Sequence, residues 1–470
     1  MRGNIGRILS IVATAILMVP TTVAQSRENP PTPGTAVLGV RSAKSYAQLA
    51  PNTTTGGIQE AIDACAEAKV PCSITIDPGY IAEVKTPITV NIAGVSISGG
   101  GYASKIRVMG AGDVFTVSAP LFQLQDLEVT VAETASRANA AIVHASTATA
   151  GQGFIFDVRF TGNTASPNNG SIFVADAPSA GLWQIDHIRV PGGTTWASIA
   201  KLTSKGPHSV ASNQFSHVQG NAHWSEAAFV LDGFIDTVQI SDIDLAVVGG
   251  GGGTIIWAKN TVGAATNPRW IECKSCNIEG GLADTSVRLD ASRYFSYSGY
   301  IAGSSVGVAV GSGAVNTDLS NTVFASIQKS AVTIADGAIH TQILGNFFDD
   351  SGCSANNSYD TISIAPNAKD FQILFNHWRV YGCKNLPRYA IDVPAGTSNS
   401  YAIVGNDIPA KAVTTGAISN GGTGGTSMIL GNTAGSGVES KMTIGFSGTK
   451  KIGSCVLTIS NGIITNVTGC

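Results

Sequence analysis

The stretch QILGNFFDDS at residues 342–351 is rewritten three times downstream, as QILFNHWRVY at 372–381, AIVGNDIPA at 402–410 and MILGNTAG at 428–435. Its asparagines Asn346, Asn376 and Asn406 fall thirty residues apart, and Asn432 follows twenty-six later. A period of about 20 to 50 residues marks a stacked array, each repeat being one structural unit. Each unit must show the same apolar face inward and make the same turn. A small amide at that turn can stack on its copy in the next unit and satisfy its own polar atoms along the ladder.

Working upstream, QLQDLEV, FIFDVRF, QIDHIRV, QFSHVQG, VQISDIDL and SCNIEG set Asp126, Asp157, His187, His217, Asp242 and Asn277 at a recurring polar position. The gaps are 31, 30, 30, 25 and 35, so a register runs through with insertions. His187 and His217 read as members of this structural ladder. Two residues beyond each bend, Glu128, Arg159, Arg189, Gln219, Asp244 and Glu279 form a column on one flank. It reads either as a groove for an anionic sugar or as a solvated sheet face with alternating charges.

Composition agrees with a β array. The 470 residues include 55 glycines and only 13% charged residues, with no coiled-coil pattern. A net charge of −3 gives no basic footprint, which argues against nucleic acid as a partner. Arg2 and Arg7 precede an apolar run at residues 8–19, and Thr22, Val23 and Ala24 offer small residues for cleavage. Residues 1–24 therefore read as a signal peptide, with a mature chain starting near Gln25 that is secreted, periplasmic or displayed at the cell surface. No second apolar stretch of about 18 residues follows, so no membrane anchor is expected after cleavage.

Export permits disulfides. Cys353 and Cys383 each lie seven residues after a repeat asparagine, which places them on neighbouring coils about 4.8 Å apart, within disulfide range. Proximity pairs Cys65 with Cys72, Cys273 with Cys276 and Cys455 with Cys470. The Cys273–Cys276 spacing also suits a redox or zinc motif.

Residues 25–50 contain PPTPG and read as a linker or loosely held lead-in. In IQEAIDACAEA, Ile58, Ala61, Ile62 and Cys65 share one helical face, which predicts one short amphipathic helix. CSITIDPGY and TPITVNIAGVSISGGG then alternate as half-buried strands do. GGGGG at 249–253 and residues 291–317 read as irregular inserts, the former a flexible turn because it lacks the strand-to-helix context of a phosphate loop. Asn461-Gly462 between alternating strands signals a hairpin. The expected layout is a β-solenoid over 51–440 and a small C-terminal β cap over 441–470.

A helix of the type GIQEAIDAC, a short apolar strand and a turn like DPGY, ahead of repeated strand coils, resembles the start of the right-handed parallel β-helix of pectate-lyase-like proteins, which include polygalacturonases and phage tailspikes. The resemblance implies an all-β solenoid with a capping helix, and a groove along one face that cleaves an acidic polysaccharide by elimination or hydrolysis. Its tailspike branch implies a homotrimer. The Gly-His-Gly and Arg-Ile-Lys marks of polygalacturonases are absent. The rival expectation is a non-catalytic protein that holds glycans on the same face.

The candidate chemistry follows from carboxylates, cations and rings. Asp244 and Glu279 would stand about 5 Å apart on adjacent rungs, suiting retaining hydrolysis, or about 9.6 Å apart if one rung intervenes. Asp349 and Asp350 resemble the paired aspartates of polygalacturonases, with His377 and Arg379 one coil on. Both aspartates face a groove only if they lie in a turn. Arg159, Arg189 and Arg379 are the candidate cations for a uronate, and Arg189 or Arg379 could stabilise the charge formed in elimination. Asp242 with Asp244 could hold Ca²⁺. Tyr294, Tyr297 and Tyr300, with Trp196, Trp224 and Trp257, are candidate sugar-stacking rings or local packing.

Overall fold

The structure is a computed structural model that describes residues 40–248, 253–281, 285–396, 400–422, 427–434, 448–452, 455–460 and 463–468. The expected signal peptide, residues 249–252, the Asn461-Gly462 turn and the Cys455–Cys470 pairing lie outside the described residues.

Each coil of the chain runs through three parallel sheets. Sheet A contains Cys72–Thr75, Val95–Ser98, Gln184–Asp186, Val210–Ser216, Ile235–Ser241, Ile339–Leu344 and Phe371–Leu374. Sheet B contains Ile81–Val84, Lys105–Val108, Gln219–Trp224, Asp244–Val247, Phe347–Ser351 and His377–Arg379. Sheet C contains Phe115–Val117, Ala141–Ala145, Ser171–Ala175, Ser198–Ser204 and Ala227–Gly233. The order within a coil is C, A, B, and the coil closes by parallel crossovers, which are right-handed in nearly all proteins. This is the expected right-handed parallel β-helix.

Two bends per coil use left-handed backbone, and the sequence marks them. Between sheets A and B sit Asp126, Asp157, His187, His217, Asp242 and Ser275, with φ of 56°, 47°, 53°, 49°, 51° and 54°. Asp and Asn tolerate this region because their short polar side chains bond locally. Further along, Gly345, Gly405 and Gly431 take the same bend at φ of 64°, 67° and 65°. The residue after each bend points inward, and in the C-terminal half it is asparagine. Asn346 Nδ2 donates to Asn376 Oδ1 at 3.0 Å, Asn376 Nδ2 to Asn406 Oδ1 at 2.9 Å, and Asn406 Nδ2 to Asn432 Oδ1 at 2.8 Å. The first three are fully buried, and the amide ladder replaces the apolar stack that Leu127, Val158, Ile188 and Val218 form upstream.

Among the described residues, two helices precede the coils. In α1 (Ala43–Leu49) the Ser42 hydroxyl accepts from the Ser45 N–H at 3.2 Å. In α2 (Ile58–Ala68) the expected face of Ile58, Ala61, Ile62 and Cys65 is buried. Gly57 joins them at φ 79°, where a Cβ would stand 2.1 Å from the Ala43 carbonyl oxygen. The segment read as a linker therefore includes a strand, Val40–Ser42, and a helix that the sequence pattern did not signal.

Other expectations are corrected. Residues 291–317 are not an insert: they lie in the long strands Thr285–Ala302 and Val306–Ile327, paired rung to rung with their neighbours. The bend equivalent to Asp242 is Ser275, not Asn277. At the C-terminus, Gly448–Ile452, Cys455–Ser460 and Ile463–Thr468 form a separate three-stranded antiparallel sheet. Three disulfides join Cys65 to Cys72, Cys273 to Cys276 and Cys353 to Cys383, with Cα separations of 5.5, 5.9 and 5.4 Å. That pairing leaves Cys273 and Cys276 no thiolate to bind zinc in this state.

Candidate functional site

Outward-facing residues in sheet A alternate with core residues, so one column of side chains runs up its face. Rung by rung it reads Gln184, Gln214, Gln239, Glu272, Ser296, Asp318, Gln342 and Gln372. A repeated glutamine gives way to carboxylates at Glu272 and Asp318, two rungs apart with Ser296 between. Strand spacing sets their backbones about 9.6 Å apart.

The preceding bend supplies a second column beside it: Trp270, Tyr294, Asn316, His340 and Asp370, with φ between 53° and 58°. Trp270 and Tyr294 stack at 4.1 Å between centroids and 7° between planes. They are 53% and 43% exposed, an unusual display for large rings. His340 holds Asn316 Oδ1 at 3.1 Å through Nδ1 and approaches Asp370 Oδ2 at 3.4 Å through Nε2. A cleft of about 600 Å³ lies over Tyr294, Ser296, Asp318, His340, Gln342 and Asp370. A second, of about 560 Å³, lies over Asp236, Gln239, Glu272 and Ile271 and shares Trp270, Tyr294 and Ser296 with the first.

The two carboxylates differ in environment. Glu272 is exposed. Asp318 is half-buried, and burial pushes its carboxyl up, only partly opposed by a hydrogen bond from Ser320. Its Oδ1 is buried without a hydrogen-bond partner. One carboxyl inclined to hold a proton and one exposed carboxylate is the division that acid–base cleavage of a glycosidic bond requires.

The structure redistributes the residues singled out from sequence. Asp244 pairs in register with Asn277, whose Nδ2 donates to Asp244 Oδ1 at 2.9 Å, while Glu279 falls opposite Ala246. Asp244 and Glu279 are therefore not the facing pair expected, because the bend equivalent to Asp242 is Ser275, two residues before the Asn277 read from the sequence. Asp349 and Asp350 point apart. Asp349 is clamped by Arg379 through two bonds of 2.7 Å, and Asp350, at a bend with φ 58°, accepts N–H bonds from Tyr381, Gly382 and Cys383. Both carboxylates are engaged by neighbouring groups of the protein. Arg379 packs over the Phe347 ring at 4.3 Å, and His377 stacks on that ring at 5.3 Å.

Of the three tyrosines, Tyr294 stands at the cleft. Tyr297 is fully buried with its hydroxyl donating to the Cys276 carbonyl at 2.8 Å, and Tyr300 sits half-buried on sheet B. Trp196 and Trp224 are core residues. Trp257 lies under Lys259 at 3.7 Å and Arg288 at 4.8 Å.

Arg159 and Arg189 are brought together on sheet B as register partners. With Tyr102, Gln219 and Asn221 they line a separate cleft of about 360 Å³. Glu128 is already engaged by Lys105 at 2.9 Å and Thr161 at 2.7 Å, and approaches Arg159 at 3.7 Å. Arg189 makes no ion pair among the described residues. For a cation, Asp242 and Asp244 do not form a three-ligand group. The cluster the described residues do form is Asp186, His187 and His217.

No family model and no curated protein matches the chain. Solved structures do. The chain is similar to the A-module of the mannuronan C-5 epimerase AlgE6 of Azotobacter vinelandii, at 15% identity over 84% of this chain and 98% of that one, TM-score 0.52. It is similar to tailspike protein 3 of bacteriophage CBA120, at 12% identity over 84% of this chain and 61% of that one, TM-score 0.50. An α-1,3-glucanase catalytic unit from Streptomyces thermodiastaticus matches at 11% identity over 89% of this chain and 72% of that one, TM-score 0.37. At these identities the likeness establishes the fold alone: the chain is a right-handed parallel β-helix protein.

Proposed function

We propose that this chain is an exported glycoside hydrolase that cleaves a polysaccharide over sheet A, with Asp318 as general acid and Glu272 as the base that activates water. The observation that carries this is the Glu272–Ser296–Asp318 arrangement beside the Trp270–Tyr294 pair. A backbone separation of two rungs, about 9.6 Å, stands at the upper limit of the carboxyl spacing of about 9.5 Å for inversion, where room is left for a water between carboxyl and sugar. The aromatic pair offers apolar faces and edges to a sugar ring, and Gln239, Gln342 and Gln372 offer amides to its hydroxyls. The similar proteins include, by name, an epimerase of mannuronan, which favours a polysaccharide. Three internal disulfides agree with export.

Glu272 and Asp370 would repel a uronate at the point of cleavage, so the scissile residue is read as a neutral sugar. An acidic group elsewhere on the polymer finds its place between Arg159 and Arg189. Elimination in that arginine cleft is less favoured, because burial, followed by its hydrogen bond to Asp157, pushes the Tyr102 phenol up and away from service as a base.

The test is incubation of the purified mature chain with neutral and acidic polysaccharides. New reducing ends without ultraviolet absorbance of unsaturated uronates, lost in Asp318→Asn and Glu272→Gln, support the reading. Unsaturated products would point to elimination, and binding without products to a glycan-holding protein.

A further inference from the structure

The bend between sheets A and B carries a second constellation that the cleavage site does not use. His187 and His217 occupy successive bends, both in left-handed backbone, so their Cα atoms are fixed about one rung, or 4.8 Å, apart. Their rings stack at 4.5 Å between centroids with 27° between planes. Asp186 lies beneath both: its Oδ1 is 2.8 Å from His217 Nδ1, and its Oδ2 is 3.0 Å from His187 Nδ1. The Ser216 hydroxyl at 2.8 Å and the His187 N–H at 3.0 Å also donate to Asp186 Oδ1.

Asp186 faces Nδ1 of both rings, so Nε2 of each is turned away from the carboxylate. Two imidazoles on adjacent rungs are thus oriented by one carboxylate, the pattern by which outer carboxylates align metal-binding histidines. Both side chains are half-exposed, at 50% and 53%, which leaves an open edge for an ion. The ring of Phe156 flanks His187 at 5.2 Å, and Asp242, at the next bend, adds an exposed carboxylate on the same edge. Imidazole donors select borderline transition ions over Ca²⁺, which prefers oxygen.

We propose that His187 and His217 form a binding site for a divalent transition-metal ion of the Zn²⁺ type, with Asp186 as the carboxylate that orients both rings. Asp242 and water complete the coordination. The site lies apart from the cleft over sheet A, and its occupancy is independent of the hydrolase reading.

The test uses the tag-free mature chain, stripped with a chelator and titrated calorimetrically with ZnCl₂. The expected result is one Zn²⁺ per chain, unaffected by excess CaCl₂. Binding should vanish in the double variant His187→Ala/His217→Ala and persist in His340→Ala/His377→Ala. Asp186→Asn should weaken it by about 10- to 100-fold, the range for loss of an orienting carboxylate. The single variant His217→Gln, weaker by at least about tenfold, serves if the double variant does not fold. No Zn²⁺ binding by the wild type, or unchanged affinity in the histidine variants, would overturn the proposal.

Discussion

Glu272 and Asp318 project from one column of sheet A with Ser296 between them, and only Asp318 is half-buried with an oxygen lacking a partner. That asymmetry has consequences for pH. Burial raises the Asp318 carboxyl, so the folded state binds its proton more tightly than the unfolded chain does. The stability associated with the protonated form is fully present below the unfolded carboxylate range and is lost as pH rises through the higher folded value. Asp318→Asn, which keeps the shape without the charge, should therefore melt higher than wild type at neutral pH and converge with it in acid. Thermal melts at several pH values check this. In the same window, kcat/KM of the wild type should fall as the acid is deprotonated.

The asparagine ladder makes a stability prediction. Asn376 is fully buried; its Oδ1 accepts from both nitrogens of Asn346, and its Nδ2 donates to Asn406 and to the Ile343 carbonyl. Asn376→Ala strands buried donors and acceptors on both sides and should cost about 3 kcal/mol. Urea unfolding measures it. A cost below about 0.5 kcal/mol would mean that the ladder is not a structural spine.

Asp349 and Arg379 look catalytic in the sequence but are predicted to be structural. Asp349→Asn breaks a two-bond fork whose arginine is 40% exposed, so solvent screening limits the loss to about 1 kcal/mol. Turnover should stay within about twofold of wild type. A loss of two orders of magnitude would move the site to sheet B.

For Trp270 and Tyr294, single alanine variants should raise KM or the oligosaccharide Kd by about tenfold, equivalent to one lost ring contact. The buried Tyr297 is expected to act differently: Tyr297→Ala should lower the melting temperature through the emptied core.

The solenoid was legible because its constraint repeats. The 30-residue asparagine spacing, the polar bends and the Cys353–Cys383 register all express one requirement, that each coil lie on its copy. The cleft was harder to read because it is written as a departure from the repeat. Gln184, Gln214, Gln239, Gln342 and Gln372 open the phrase, and Glu272 and Asp318 stand where that glutamine should be. Aligning the phrases on that glutamine would have exposed both. Asp349-Asp350 drew attention instead because adjacent acids are visible in one dimension, whereas strand geometry sends them apart. Asp244 and Glu279 failed for a local reason: serine at bend 275 carries no signature of left-handed backbone, so the register slipped by two.

The most direct measurement is the anomeric configuration of the first product, followed by proton NMR during cleavage of whichever polysaccharide in a neutral and acidic panel yields reducing ends. The account predicts inversion in the wild type and no product from Asp318→Asn or Glu272→Gln. Retention, unsaturated uronate products, or full activity in both variants would contradict it.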